Sequence, residues 1–442
     1  MKYEDFRREL FRLALENGCT AAETYKKEGE EFSVGILSQE IDSYSVSRTL
    51  GISLRVQKDG KDGYAYTECI ENPAALVQRA IDNALAVETA DEHPMQGPQV
   101  YPAIEQPEDP IAACSEAERI ELAKKLEQAV LSQGEPVVRC ESTEISLSRA
   151  KVSLHNTRGL AVEETRGCSL LFTSPIVQKG EEVQNDYAFS CRSTDLHSLA
   201  EKAVRQASSR LGASPVEPGR YRILLQGRAA FTLLQAFSPI FCADRVQKGL
   251  SPLREKVGQT VASPQVTLLD DPFDPGMPLR FDDEGTPAQP TVLLQEGKLC
   301  GFLHNLKTAK KNGVSSTGNG IRPGGAASPV GVAPTNLIWQ PGAFSPDELM
   351  QQLDTGLIIT SMSGIHAGVN PISGSFSLLS SGFWVEKGRI VRPVDRITVA
   401  GSFPELLQKV QAVGKNLTFS FPGTSRYGAP DVLIESLNVA GS

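Results

Sequence analysis

Residues 282–323 read DDEGTPAQPTVLLQEGKLCGFLHNLKTAKKNGVSSTGNGIRP, from Asp282 to Pro323. An acidic turn leads into a strand-like run at 291–294, a Glu296-Gly297 turn, a returning run at 299–303, a short basic helix, and a loop carrying Gly313, Gly318 and Gly320. Hairpins that hand over directly to glycine-rich loops hold ligands against rigid backbone in many proteins. They are also ordinary surface in α+β domains, and residue chemistry alone favours that reading.

Working outward, the chain before this stretch alternates helix and hairpin signals twice. Tyr3, Phe6, Leu10 and Leu13 recur at helical spacing up to Gly18, and Ile52, Leu54 and Val56 alternate with polar residues before the turn at 58–63. A helix capped by Asn72 and Pro73 follows, then a proline-rich stretch after Glu88 that reads as a linker. The order then repeats: a helix with the capping box Ser115 and Glu118, strands through 167–172 and 185–190, and a closing helix over about 194–211. Gly51-Ile52-Ser53-Leu54 beside Gly167-Cys168-Ser169-Leu170 makes the order a duplication. The expected fold class is α+β. Residues 1–212 form an N-terminal helix/antiparallel-sheet domain with halves of about 1–90 and 111–212, and 213–442 form a β-rich C-terminal domain with a few helices. Within the latter, an apolar helix is expected over about 228–241, a helix capped by Ser345 and Glu348, and another from Ser402 to Gly414 with Glu405 as its box partner.

The 442 residues, 40% apolar and 22% charged with net charge -9, describe a globular chain of two or three domains at about 150 residues each. Clustered cations of the kind that displace DNA counterions are missing, so direct nucleic-acid binding is not expected. Neither is a membrane span, which needs about 18 to 20 apolar residues. The mixed charges of residues 1–9 do not form a secretory signal, so a cytoplasmic location is expected. Cys19, Cys69, Cys114, Cys140, Cys168, Cys191, Cys242 and Cys300 include no Cys-x-x-Cys pair and read as reduced, mostly buried small hydrophobes.

Catalytic motifs are few. The five histidines form no i, i+4 pair, and phosphate-loop and nucleophile-elbow motifs are missing. The acidic residues 270, 271, 274 and 282–284 lack the order of a calcium loop and read as a solvated turn. His304 and His366 sit in glycine-containing strand-to-loop contexts, where each reads first as a hydrogen-bonded structural histidine.

Four segments taken together resemble the TldD/PmbA family, proteins called modulators of DNA gyrase that include cytosolic metallopeptidase subunits. They are Gly51 to Val56 with the 59–63 turn, the stretch 282–323, Gly364 to Ser377 with the Phe383 to Gly388 hairpin, and Ile397-Thr398-Val399-Ala400-Gly401. In the TldD-like branch the first helix of the C-terminal domain carries His-Glu-x-x-x-His, which with a later cysteine binds zinc. The corresponding positions here are Leu234, Gln235 and Pro239, and an amide does not titrate, so the chain looks like the PmbA (TldE) branch. The resemblance implies no cofactor in this chain and zinc in a TldD-like partner. It implies a peptidase acting on extended, unfolded peptides, with this chain walling the cavity. The candidate wall residues are His304, Gly318, Asn319, Gly320, His366, Asn370, Ser373 and Gly374, and no catalytic residue is expected among them. Gly318→Val and Gly320→Val are expected to weaken peptide capture and leave the fold intact. Family members often carry an acid where Ser375 stands. The alternative is a stand-alone homodimeric peptide-binding or regulatory protein of the gyrase-modulator type.

Overall fold

The computed structural model describes residues 1–88 and 93–441, so the expected division near residue 90 lies outside the described residues. The first part of the chain runs α1 (Tyr3–Glu16), β1 (Ala21–Leu37), β2 (Glu40–Lys58), β3 (Lys61–Thr67), α2 (Pro73–Ala86), α3 (Pro110–Ala113), α4 (Glu116–Leu131), β4 (Val137–Asn156), β5 (Ala161–Lys179), β6 (Glu182–Asn185), β7 (Ala188–Cys191) and α5 (Leu196–Ser208). These strands form one antiparallel sheet in the order β3-β2-β1-β4-β5-β6, with β7 also on β5. β1 and β4 pair along their length, from Glu23 with Asn156 to Ile36 with Thr143, so each helix-and-hairpin half supplies one central strand.

Period-two alternation assigns the two faces. Phe32, Val34 and Ile36 of β1 pack with Ile145, Leu171 and the helices α4 and α5, while Ala22, Ile52 and Leu54 pack with α1 and α2. The intervening positions, Tyr25 with Val152, Leu154 and Val162, point the other way and pack against Phe281 and Ala326 of the C-terminal domain.

That domain continues β8 (Gly219–Leu225), α6 (Gly227–Phe237), α7 (Ala243–Gln247), β9 (Leu268–Asp270), β10 (Thr291–Gln295), β11 (Lys298–Leu299), α8 (Leu306–Asn312), β12 (Gly320–Ile321), β13 (Gly331–Val332), β14 (Asn336–Trp339) and α9 (Pro346–Leu353). It ends with β15 (Gly356–Ser363), α10 (Ile365–Gly368), β16 (Val369–Asn370), β17 (Ser375–Glu386), β18 (Arg389–Ser402), α11 (Phe403–Gln408), β19 (Val410–Phe419) and β20 (Arg426–Gly441). Its sheet follows β8-β15-β17-β18-β20, and β20 pairs back onto β8, so these five strands close into a ring. β14, β9, β10 and β11 extend it beyond β20. The fold is α+β, and no helix among the described residues is long and apolar enough to cross a membrane.

Several boundaries differ from expectation. The returning strand at 299–303 shrinks to β11, because Leu303 instead bridges to Cys242 beside α7. The helix expected over 228–241 ends at Phe237 and tightens into a 3-10 turn at Ser238–Phe241, where Pro239 has no N–H to continue it. Ser402 makes no side-chain cap bond, and α11 stops at Gln408 because β19 pairs with β20 from Val410 onward. Of the eight cysteines only Cys19, Cys140 and Cys242 are buried, and Cys69 and Cys300 are exposed. The larger correction concerns the acidic turn. Asp270, Asp282, Asp283 and Glu284 are at most 5% exposed; Tyr25 and Arg166 of the N-terminal sheet reach Asp283, His93 reaches Glu284, and Asp270 and Asp282 bond within the C-terminal domain.

Candidate functional site

The stretch 282–323 sits between the domains and is wired from within. Asp282 Oδ1 accepts from the backbone N–H of Glu284 at 3.0 Å and Thr286 at 2.8 Å, and its Oδ2 accepts from Gly320 at 2.8 Å. Asp283 accepts from the Arg322 backbone N–H at 2.8 Å and from the Tyr25 hydroxyl at 3.3 Å, and lies 3.5 Å from Arg166 Nη1. Asp270 accepts from Asn319 Nδ2 at 2.6 Å and the Thr335 N–H at 2.8 Å. Burial pushes the Asp270 carboxyl up to about 7 and that of Asp282 well up, against the pull of these donors.

Glu284 reaches furthest. Its Oε2 accepts from the Leu306 N–H at 2.7 Å, at the start of α8, and its Oε1 forms a short hydrogen bond with His93 Nε2. His93 belongs to the linker and is fixed from the 58–63 hairpin, donating its N–H to Asp62 at 2.6 Å while its carbonyl accepts from Gln57 at 2.7 Å and from Arg55. Burial raises the Glu284 carboxyl to about 7 and lowers the His93 imidazole to about 3, so at pH 6 the proton sits on Glu284 and the pair is neutral.

The two shifts act on stability with opposite signs. A carboxyl that ionises near 4.5 unfolded and about 7 folded stabilises the fold below 4.5, and this is lost as pH rises through 7. A histidine that titrates at 6.5 unfolded and about 3 folded stabilises above 6.5, and this is lost as pH falls toward 3. Glu284→Gln removes the first slope and keeps the hydrogen bond. Relative to the parent, the variant should therefore lose stability by an extra amount on the order of 1 kcal/mol per pH unit on acidification from about 6.5 to 4.5. Denaturant midpoints across that range check this, and parallel curves for the two proteins would refute it.

His304, Gly318, Asn319 and Gly320 are brought together here, but as packed wall. His304 Nδ1 lies 3.2 Å from Thr308 Oγ1, its carbonyl accepts from the N–H of Thr317 and Asn319, and burial lowers its imidazole below the ordinary value. A Cβ on Gly320 would come within 2.6 Å of Glu284 Oε2, and one on Gly318, at φ +76°, within 2.9 Å of the Pro287 carbonyl oxygen. The expectation that valine at either position leaves the fold intact is corrected by this crowding.

His366, Asn370, Ser373 and Gly374 are not part of that network. They form a separate turn between β15 and β17, in which Asn370 Oδ1 accepts from the N–H of Ile372 and Ser373, and Ser373 Oγ lies 2.7 Å from Ser375 Oγ. His366, Asn370, Ser373 and Ser375 are exposed, as are Ile372 and Leu379, both at 56%.

On α6, Leu234 is fully buried, Gln235 is exposed and Pro239 lies in the following 3-10 turn. None of the three carries a thiolate, imidazole or carboxylate, and no group of three His, Cys, Asp or Glu side chains among the described residues is placed to hold a metal. A zinc ion of the expected kind does not fit these positions.

Beside the buried network lies a cavity of about 390 Å³. Its floor is the bare face of the N-terminal sheet, where Lys27 of β1 pairs with Val152 of β4, and Ser148 and Ala150 of β4 pair with Cys168 and Arg166 of β5. Small side chains on this face make the hollow, and Met277, Leu279 and residues 321–323 close it from the C-terminal domain. No local signal reveals it, because its two walls come from segments remote in the chain, residues up to Arg192 and residues from Met277 onward.

Comparison with known proteins places the chain. It matches models of PmbA/TldA metallopeptidase domain 1 over residues 22–84, the central domain over 109–211, and the C-terminal domain over 218–441. A metalloprotease of Methanothermobacter thermautotrophicus is 27% identical over 427 residues, 91% of either chain. A crystal structure from Thermotoga maritima, described as a candidate modulator of a DNA gyrase, superposes with TM-score 0.91 at 34% identity, covering 99% of this chain and 100% of the other. TldE from Thermococcus kodakarensis shares the fold at TM-score 0.88 and 23% identity, with 99% and 100% covered.

Proposed function

We propose that this chain, which belongs to the PmbA/TldD metallopeptidase family, is the subunit of a cytoplasmic zinc peptidase that carries no zinc itself and shapes the peptide-binding cavity. The observation that carries the reading is α6. Where a TldD-like chain would place its zinc ligands, this one has an apolar side chain turned into the core, an amide and a proline, and none can bind zinc or activate water. The metal then belongs to a TldD-like partner.

The substrate is an extended, unfolded peptide, held chiefly by its main chain. The turn that exposes His366, Asn370 and Ser373 around the buried Gly374, with Ile372 and Leu379 beside it, offers hydrogen-bonding groups and apolar surface together, as an interface does.

The test is to purify the full chain alone and together with a TldD-like relative bearing His-Glu-x-x-x-His. Alone it should hold no stoichiometric zinc and leave an unfolded peptide intact, and the pair should bind about one zinc and cleave. One tightly held zinc on the isolated chain would overturn the proposal. A stable homodimer that captures peptide and ignores the relative would favour a stand-alone binding protein.

A further inference from the structure

We infer that the cavity between the bare face of the N-terminal sheet and residues 277–323 binds a small organic oxyanion, a molecule with a carboxylate or phosphate head and an apolar body. The inference stands whether or not the chain works with a zinc-bearing partner.

Charge is the first ground. In a chain of net charge -9, this cavity is lined by Lys27, Arg166, Arg192 and Arg322 against one acid, Asp283. Asp283 and Arg166 are committed to each other, and Arg166 also lies 3.0 Å from Glu164 and donates to the Phe281 carbonyl at 2.7 Å. The other cations are not neutralised in this way. Arg192 donates to the carbonyls of Gly276 and Gly167, and its nearest carboxylate, Asp109, is 3.9 Å away. Lys27 is half-buried with no acid within 4.0 Å among the described residues.

Arg322 is the second and stronger ground. Its side chain is buried, with the residue 5% exposed, and the guanidinium carbon lies 4.8 Å from the centroid of the Tyr25 ring. One nitrogen donates to the Ser328 carbonyl at 2.8 Å, no carboxylate lies within 4.0 Å, and Nε has no hydrogen-bond partner. Burying a guanidinium without an opposite charge is costly, and native proteins rarely leave buried donors unmet. An oxyanion in the cavity supplies the missing opposite charge, and Arg is the side chain suited to a planar carboxylate or a phosphate.

Size and lining give the rest of the ligand. A cavity of about 390 Å³ falls in the range of small-molecule sites and is much larger than a bare phosphate needs. Met277, Leu279 and Ile321 offer an apolar wall, while Ser146 and Ser148 add hydroxyls on the floor.

The test uses three probes with one ring and different heads: phenylacetate, phenyl phosphate and phenylacetamide, titrated into the full chain by calorimetry at low and high salt. At least one anion should bind with Kd of about millimolar, the value for fragments of this size, and more weakly at high salt. The amide should bind at least about tenfold more weakly. Binding of the phosphate alone assigns a phosphate ester, and binding of phenylacetate alone assigns a carboxylate such as a peptide C-terminus. Arg322→Gln is the direct variant but touches the packed core. Lys27→Glu, at a half-buried position on the sheet face of the cavity, should keep the melting temperature and weaken anion binding about tenfold. Equal binding of the amide, no binding of either anion, or anion affinities unchanged in Lys27→Glu would overturn the inference.

Discussion

Asp282→Ala is expected to lose on the order of 4 to 6 kcal/mol of stability. The carboxylate is fully buried and serves three backbone N–H groups, those of Glu284, Thr286 and Gly320, which alanine leaves without an acceptor. Each unmet buried donor costs about 1 to 3 kcal/mol. Against a total stability of about 5 to 15 kcal/mol, this is enough to lower the melting temperature of a chain of this length by roughly 5 °C. Asp282→Asn keeps one acceptor oxygen and should recover more than half of the loss. Thermal and denaturant unfolding of the two variants check the account, and equal stability of alanine and asparagine at this position would refute it.

Gly320→Val is expected to be nearly as damaging, for a steric reason. The new Cβ would meet Glu284 Oε2 at 2.6 Å and Cγ at 2.7 Å. The backbone cannot retreat, because the Gly320 N–H is held by Asp282 and its carbonyl accepts from the Asp283 N–H at 2.8 Å. Displacing Glu284 would also cost its bonds to Leu306 and His93. A loss of more than about 3 kcal/mol, or failure to accumulate folded protein, is expected. Gly301→Ala is the control, since a Cβ there meets nothing within 4 Å, and it should stay within about 0.5 kcal/mol of the parent. If Gly320→Val unfolds like the parent and only peptide capture changes, the crowding argument fails.

Local signals in this sequence were reliable where a residue's own geometry closes a turn or starts a helix. The helices at Ser115 and Ser345 have the capping boxes their spacing predicts, and Asn72 caps α2 as read. The Ser402 signal was equally good by spacing. There the helical run Phe403, Leu406, Leu407 and Val410 gives way at Val410, because pairing with β20 takes over. Of the candidate site, the sequence showed the glycines and histidines but not their burial. Whether an acidic turn such as 282–284 faces water depends on what covers it, and the cover is a sheet encoded more than 100 residues earlier.

The hairpins separate the two kinds of information most sharply. Asp59-Gly60, Glu296-Gly297 and Lys387-Gly388 each close a two-residue turn with both φ angles positive, because the glycine takes the left-handed conformation at no cost. Sequence alone determined these turns, together with the helices capped at Asn72, Ser115 and Ser345. The turn at Ser38-Gln39 has the same geometry, φ 54° and 65°, without glycine. It is held by Glu127 of α4, whose carboxylate accepts both backbone N–H groups at 2.9 and 2.6 Å from about ninety residues along the chain. Only tertiary structure could decide that turn, the burial of Asp282 and Glu284, and the cationic cavity beside them. In each case the stabilising partner is remote in sequence: Glu127 reaches the turn from α4 within the N-terminal domain, while the buried acids and the cavity need the two domains to close on each other.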